Sequence, residues 1–137
     1  MDDTQHQSEA LRARSMNNLL LAIVIAVIIA FFVFQGGAGA DMEPHEVWRA
    51  VDEGALLIDV RTAGEFESGH LKGALNIPYQ QADLLQQAAG EDKSRSVVVY
   101  CRSGRRSSIA KKSLNEAGYT NVINGGAFSR LKASRGE

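Results

Sequence analysis

The chain contains a single cysteine, Cys101, and the residues around it could give that thiol a chemical function. Three consecutive valines precede it, and the segment from Cys101 to Ser107 reads Cys-Arg-Ser-Gly-Arg-Arg-Ser. A loop between the end of a buried strand and the start of a helix can direct several backbone N–H groups at one centre, where the helix dipole adds partial positive charge. Such a place lowers the pKa of a thiol, so Cys101 is the candidate nucleophile.

The six residues after the cysteine are candidates to bind an anionic substrate or product. Arginines supply positive charge, backbone N–H groups can stabilise a charged sulfur, and a glycine leaves room for the backbone to close around an anion. An inert buried cysteine beside a solvated turn is the alternative, but three arginines crowded around one sulfur favour an anion site. The candidates are Arg102, Ser103, Gly104, Arg105, Arg106 and Ser107.

Asp59 and Arg61 are candidate supporting residues because they lie at the end of a predicted strand, residues 55–60. The carboxyl ends of parallel strands share one edge of a sheet, which places both residues near Cys101. They either form part of the site directly, or Asp59 accepts hydrogen bonds from loop amides, pairs with an arginine and holds the mouth in shape. His70 is expected to be a structural histidine rather than a general base. The scattered histidines predict no metal site, and no cofactor is expected.

Short apolar runs alternate with helical patterns from residue 41 onward, which is typical of a parallel sheet covered by helices. Thr62 to Glu65 has the form of a capping box that opens a short helix. Strands are predicted over residues 55–60, 74–77, 96–100 and 121–124, and longer helices over residues 41–54, 79–89, 107–117 and 127–133, with a turn at Gly125 and Gly126. The fold class is therefore α/β, with a central, mostly parallel sheet flanked by helices.

A polar segment, residues 1–18, precedes an uninterrupted apolar run from Leu19 to Phe34. The run is longer than the apolar part of a signal peptide, roughly 7–15 residues, and shorter than the roughly 20 residues of a comfortable membrane span. We expect one N-terminal hydrophobic helix in front of the domain. Residues 19–40 then act as a transmembrane anchor or a signal segment, and residues 41–137 form the catalytic domain.

Two arginines before the apolar run, Arg12 and Arg14, place the N-terminus in the cytoplasm by the positive-inside rule. The domain is then expected to be membrane-anchored on the extracytoplasmic, periplasmic side. Residues 38–40 read Ala-Gly-Ala, a signal-cleavage pattern, so a soluble periplasmic protein released near Ala40 is the alternative. A buried core helix is disfavoured, since the run has no polar face.

Length and charge exclude several classes of protein. The 137 residues have room for one domain of common size and a short appendage. The formal net charge is −1 and no long run of Lys and Arg occurs, so no nucleic-acid partner is expected.

Several motifs together resemble the single-domain rhodanese-like sulfurtransferases of the exported or membrane-anchored type. The Cys101 loop, with glycine at the third position after the cysteine and arginine at the fifth, resembles the active-site loop of that family. The matching motifs are Leu57 to Arg61, Glu65-Phe66 with Gly69 to Pro78, and Gly118-Tyr119 with Gly125-Gly126. The resemblance covers about residues 43–131. One departure is visible, since Phe128 alone represents the aromatic residue that often follows the glycine pair.

The resemblance implies a double displacement, in which the Cys101 thiolate takes the outer sulfur of a donor such as thiosulfate and passes it to a thiol or cyanide. Arg106 matches the family position for holding the anionic donor, while Arg102 and Arg105 either touch the donor or lie exposed on the rim. A non-catalytic interaction module at the membrane is one alternative. A cysteine phosphatase or arsenate reductase is another, but its signature places arginine where this chain has Ser107.

Overall fold

The computed structural model describes residues 3–35 and 39–136 and divides the chain into two compact units, Met1–Gly37 and Ala38–Glu137. The first unit contains the predicted N-terminal helix, α1 (Asp3–Gln35). Within the described part of the chain, no helix combines the length and apolarity that crossing a bilayer requires. The structure therefore does not confirm the transmembrane anchor expected over residues 19–40. Residues 36–38 of that segment lie outside the described residues.

The second unit is built on a sheet of four parallel strands in the order β2-β1-β3-β4. In this register Asp59 lies opposite Tyr100, next to Cys101, so the ends of the two central strands meet at one edge. This arrangement confirms the predicted α/β class and the parallel sheet. The strands are β1 (Leu56–Asp59), β2 (Leu75–Asn76), β3 (Val97–Cys101) and β4 (Val122–Ala127).

Helices cover both faces of this sheet, so β3 is buried on both sides. Val97, Val99 and Cys101 point into the core cluster that contains residues of α4 and α5, and the alternate residues Val98 and Tyr100 point into the cluster with α2 and α6. The period of two therefore directs the thiol to the α5 side. The helices are α2 (Pro44–Asp52), α3 (Ala63–Glu67), α4 (Ala82–Ala89), α5 (Arg105–Glu116) and α6 (Phe128–Arg135).

The predicted capping box opens α3. The Glu65 N–H donates to Thr62 Oγ1 at 3.3 Å, and the Thr62 N–H donates to Glu65 Oε2 at 3.1 Å. The box satisfies helix N–H groups that have no intrahelical partner. It also fixes the Glu65 carboxylate beside the sheet edge where β1 ends.

The predicted turn at Gly125 and Gly126 is wrong, because β4 continues through both residues to Ala127. Asn124 pairs with Val99 while Gly126 pairs with Tyr100, so Gly125 is the extra residue of a β-bulge. A Cβ on Gly125 would lie 3.2 Å from Val98 Cγ1, and Gly126 has a left-handed φ of +82°. The glycine pair thus serves close packing and a bend inside the strand.

Candidate active site

Cys101 is the last residue of β3, and its sulfur lies against the N-terminus of α5. The Gly104 N–H donates to Cys101 Sγ at 3.0 Å, and Ser107 Oγ lies 3.4 Å from the same sulfur. Gly104 caps the helix with a φ of +100°, which favours glycine. The helix begins at Arg105, two residues before the predicted start, so the connecting loop contains only residues 102–104.

Two opposing effects set the pKa of the Cys101 thiol. Burial of the thiol, which has 0% exposure, acts to raise this pKa. Hydrogen bonds from the Ser107 hydroxyl and from the N–H groups of Ser107, Ser103 and Gly104 lower it and prevail, so the pKa lies below its usual value. A thiol of this kind is more readily ionised, and the thiolate is the nucleophilic form.

Arg106 forms a bidentate ion pair that the sequence analysis did not predict. Its two terminal nitrogens lie 2.7 Å from Glu65 Oε2 and 2.9 Å from Glu65 Oε1. Arg102 and Arg105 are exposed, and among the described residues no carboxylate lies within ion-pairing distance of either. The positive charge of Arg106 is therefore compensated by Glu65, whereas the described part of the chain offers no carboxylate to pair with Arg102 or Arg105.

A surface cleft of about 500 Å³ lies next to the cysteine loop. Arg102 belongs to its wall, which puts a cation without an ion-pair partner among the described residues where a small anion can enter. Its lining residues are Arg61, Glu65, Ser68, Arg102, Phe128 and Ser129.

Asp59 and Arg61 form a buried ion pair at the same edge of the sheet. Asp59 accepts hydrogen bonds from the Arg61 N–H at 3.0 Å, from Nε at 2.9 Å and from a terminal nitrogen at 2.6 Å. The same terminal nitrogen donates to the Gly69 carbonyl at 2.7 Å, and the guanidinium lies 4.4 Å from the centre of the Phe128 ring. The pair thus joins β1 to the wall of the cleft and has the geometry of a structural support.

Asn124 is a residue of the site that the sequence analysis missed. Its Oδ1 accepts a hydrogen bond from the Gly126 N–H at 3.0 Å and lies 2.7 Å from Ser107 Oγ, so it shares the single proton of that hydroxyl with Cys101 Sγ. Its Nδ2 donates to the carbonyls of Gly104 at 3.0 Å and Gly39 at 3.1 Å. This buried amide ties the cysteine loop to the bulge in β4. A polar residue directly before a glycine pair was the available signal.

Residues 39–41, around the predicted start of the domain, also contact this network. The Asp41 N–H donates to the Asn124 carbonyl at 2.8 Å, and Asp41 Oδ2 accepts from the Asn124 N–H at 2.7 Å and from Lys111 Nζ at 2.5 Å. Together with the Gly39 carbonyl, these bonds attach residues 39–41 to β4. Gly39 thus contacts the same network as Asp41, the first residue of the predicted domain.

His70 lies just after α3 and contacts Phe66 of that helix. Its ring stacks on Phe66 with 3.7 Å between the ring centres, and Nδ1 lies 2.9 Å from the Phe66 carbonyl oxygen. The side chain is exposed, and none of its contacts reaches Cys101. This environment agrees with a structural histidine.

A buried cysteine at the end of a parallel strand, with an N–H group of the following helix start directed at its sulfur, is the central feature of this α/β domain. Residues 43–129 match the family model of the rhodanese-like domain, and the chain belongs to this rhodanese-like sulfurtransferase family.

Individual relatives extend over much of the chain. It is 44% identical over 74 residues to Thiosulfate sulfurtransferase PspE of Escherichia coli (strain K12), covering 54% of this chain and 71% of the relative. It is 36% identical over 113 residues to Uncharacterized protein YqhL of Bacillus subtilis (strain 168), covering 80% of this chain and 87% of the relative. The solved structure described as rhodanese with anions from E. coli is 39% identical, with a TM-score of 0.52, covering 56% of this chain and 89% of that chain.

Proposed function

We propose that this protein transfers a sulfane sulfur from a donor such as thiosulfate to a thiol or to cyanide through a persulfide on Cys101. The observation that carries the proposal is the Gly104 N–H at 3.0 Å from the sulfur, at the N-terminus of α5. Donors placed there stabilise a thiolate and equally a terminal persulfide anion. The similarity to a protein named Thiosulfate sulfurtransferase supports thiosulfate as the first donor to test.

The first step is a displacement at sulfur. The Cys101 thiolate attacks the outer sulfur of thiosulfate and forms a new S–S bond. The original S–S bond breaks, and sulfite leaves with its electron pair. The enzyme then carries one additional sulfur as a persulfide anion, held by the amides that held the thiolate.

The second step returns the enzyme to its starting state. A thiolate or cyanide attacks the terminal sulfur of the persulfide, and the Cys101–sulfur bond breaks with its electron pair returning to Cys101. The products are an acceptor persulfide or thiocyanate. No redox partner is required, because each step exchanges one bond to sulfur for another.

Arg102 is the proposed contact for the anionic donor. Its side chain lines the cleft beside the cysteine loop and, among the described residues, has no compensating carboxylate. A sulfonate oxygen can accept charge-assisted hydrogen bonds from a guanidinium. Arg105 is exposed on the rim and serves as a second, weaker attraction for anions.

Intact-mass measurement of the full chain tests the proposal. Incubation with thiosulfate should add the mass of one sulfur atom, and cyanide should remove it with formation of thiocyanate. Cys101→Ser should show no adduct while retaining the wild-type circular dichroism spectrum. Because Cys101 is the only cysteine, no other thiol can supply the signal. A chain without an adduct would instead be the non-catalytic interaction module.

The cellular location stays a prediction. The expected membrane attachment through residues 19–40, with the domain on the periplasmic side, has no support from the described helices. Fractionation checks it directly. Retention of the whole chain in carbonate-washed membranes would establish the anchor, and a soluble product that begins at Asp41 would establish cleavage.

A further inference from the structure

Glu65 lines the cleft and forms an ion pair with Arg106, so it contributes to the net charge of the candidate active site. Its carboxylate receives both terminal nitrogens of Arg106, and its Oε2 also accepts hydrogen bonds from the Thr62 N–H and hydroxyl, each at 3.1 Å. The capping box therefore fixes the carboxylate, and the carboxylate fixes the guanidinium. Neither side chain is free to follow a passing anion.

Arg106 is in turn within electrostatic reach of the sulfur. Its pKa is raised first by the hydrogen bond and charge of Glu65 and, to a smaller extent, by Cys101. Bidentate arginine–carboxylate pairs have a defined geometry as well as favourable energy. A residue of a different helix, Glu65, thus fixes the position of a guanidinium that contributes to the electrostatic environment of the sulfur.

We propose that Glu65 is the positioning residue for Arg106: its carboxylate holds the guanidinium near Cys101 and cancels its charge, which leaves Arg102 to attract the anionic donor. The consequence is a weakly positive site. Arg102, which lines the cleft, attracts the thiosulfate dianion. Because the charge of Arg106 is cancelled by Glu65, the sulfite dianion released by the reaction is bound by one arginine rather than two. The kinetic part of this inference rests on the proposed sulfur transfer.

Several charged groups surround the sulfur, and only one of them is altered by the decisive substitution. Arg102, Arg105 and Arg106 are the nearby cations, and two further ion pairs are compensated internally. Among the described residues, these groups are Arg102 in the loop, Arg105 and Arg106 on α5, Glu65 on α3, the Asp59–Arg61 pair after β1, and the Asp41–Lys111 pair behind β4.

The test is Glu65→Gln in the full chain. Glutamine has the same shape, and its carbonyl oxygen can still accept from Thr62 and from one Arg106 nitrogen, while the negative charge is lost. An uncompensated Arg106 should lower the pKa of the Cys101 thiol by about half a unit. It should also lower the KM for thiosulfate by about threefold and strengthen product inhibition by sulfite by a similar factor. A pKa or a KM that stays unchanged or rises would overturn the proposal.

Ultraviolet thiolate absorbance measures the thiol pKa without any sulfur donor. The spectrum of the matching Cys101→Ser chain is subtracted at each pH to remove the absorbance of the three tyrosines and one tryptophan. If the mass experiment shows no adduct but the pKa falls in Glu65→Gln, sulfur transfer is refuted and the role of Glu65 stands. If the adduct forms and the pKa does not fall, the reverse holds.

A double-mutant cycle of Glu65 and Arg106, with the thiol pKa as its readout, keeps the proposal testable if Glu65→Gln folds poorly. Arg106→Gln alone should raise the thiol pKa, because the Glu65 carboxylate is then unpaired near the thiolate. The double variant Glu65→Gln/Arg106→Gln should return this pKa to within a few tenths of a unit of wild type. A double variant that resembles Arg106→Gln would show that the charge of Glu65 does not reach the sulfur and would overturn the proposal.

Two matched controls separate charge from helix capping. Glu67→Gln removes an exposed glutamate from the same helix, and it should leave the thiol pKa and the KM unchanged. Thr62→Ala removes the hydroxyl from the capping box, while the Thr62 N–H and both Arg106 nitrogens can still donate to the Glu65 carboxylate. It should lower the melting temperature without lowering the thiol pKa. A fall of the thiol pKa in either control would contradict the assignment to Glu65.

Discussion

Replacement of Asp59 by alanine should strongly destabilise the domain, because it leaves the Arg61 guanidinium buried without its carboxylate. Asp59 is completely buried and the Arg61 side chain is 6% exposed, so water cannot replace the lost partner without rearrangement. The substitution also removes the acceptor of the Arg61 N–H. Breaking a buried ion pair by removal of one member costs about 3–5 kcal/mol. This is a large part of the roughly 5–15 kcal/mol that stabilises a typical domain.

Urea unfolding of the full chain, followed by tryptophan fluorescence, gives the measurement. Trp48, on α2, is the only tryptophan and is buried against α6, where its Nε1 donates to the Leu131 carbonyl at 2.9 Å. With an m-value of about 1–3 kcal/mol per molar urea, the midpoint of Asp59→Ala should fall by about 2 M. Glu116→Gln removes the exposed ion pair in which Glu116 Oε1 lies 3.9 Å from Lys112 Nζ. This control should leave the midpoint unchanged.

A second variant tests the reason for the loss. Asp59→Ala/Arg61→Met removes the stranded charge together with its partner and should recover a substantial part of the stability. The reasoning would be refuted by a loss below about 1 kcal/mol in Asp59→Ala, the range of an exposed pair. It would also be refuted by a double variant no more stable than the single one.

Two further predictions concern acid stability and the bulge. The pKa of Glu65 is lowered from its usual 4.5 to about 2, mainly by the hydrogen bond from Arg106, so its ionised form stabilises the fold above pH 4.5 and this contribution is lost as the pH falls through about 2. The stability difference between wild type and Glu65→Gln, measured by urea titration at several pH values, should therefore shrink toward zero near pH 2; a constant difference would contradict this. Gly126→Ala should lower the melting temperature, because φ is +82° and the added Cβ would lie 2.7 Å from the Cβ of Ala40, whereas Gly64→Ala, which meets nothing within 4 Å, should not.

The features that the sequence predicted correctly are those coded by nearby residues. Three consecutive valines shortly before Cys101 give the segment no polar face, which is the pattern of a strand buried on both faces. The structure buries all five residues of β3. The capping box at Thr62 needs residues only three positions apart, and both of its hydrogen bonds are present. Local patterns therefore gave the sheet, the helices and the position of the thiol.

The missed features depend on contacts between distant parts of the chain. Arg106 and Glu65 are 41 residues apart, and no local pattern shows that a loop arginine meets a carboxylate rather than a substrate. Asn124 is 83 residues from Asp41, so its attachment to the domain start was equally hidden. The glycine pair Gly125-Gly126 predicts a turn because glycine pairs are common in turns, whereas tight packing against Val98 and Ala40 places both residues inside a strand.

The attachment of residues 39–41 to Asn124 links chain processing to the active site. Hydrolysis of the bond between Ala40 and Asp41 would replace the amide that donates to the Asn124 carbonyl by a charged ammonium group and would remove the Gly39 carbonyl from Asn124 Nδ2. Asn124 would keep its contacts to Gly104 and Ser107 but lose one of its anchors. A preparation truncated at Asp41 would thus be chemically different from the full chain at the back of the cysteine loop, so an expression boundary for kinetic work belongs before Gly39.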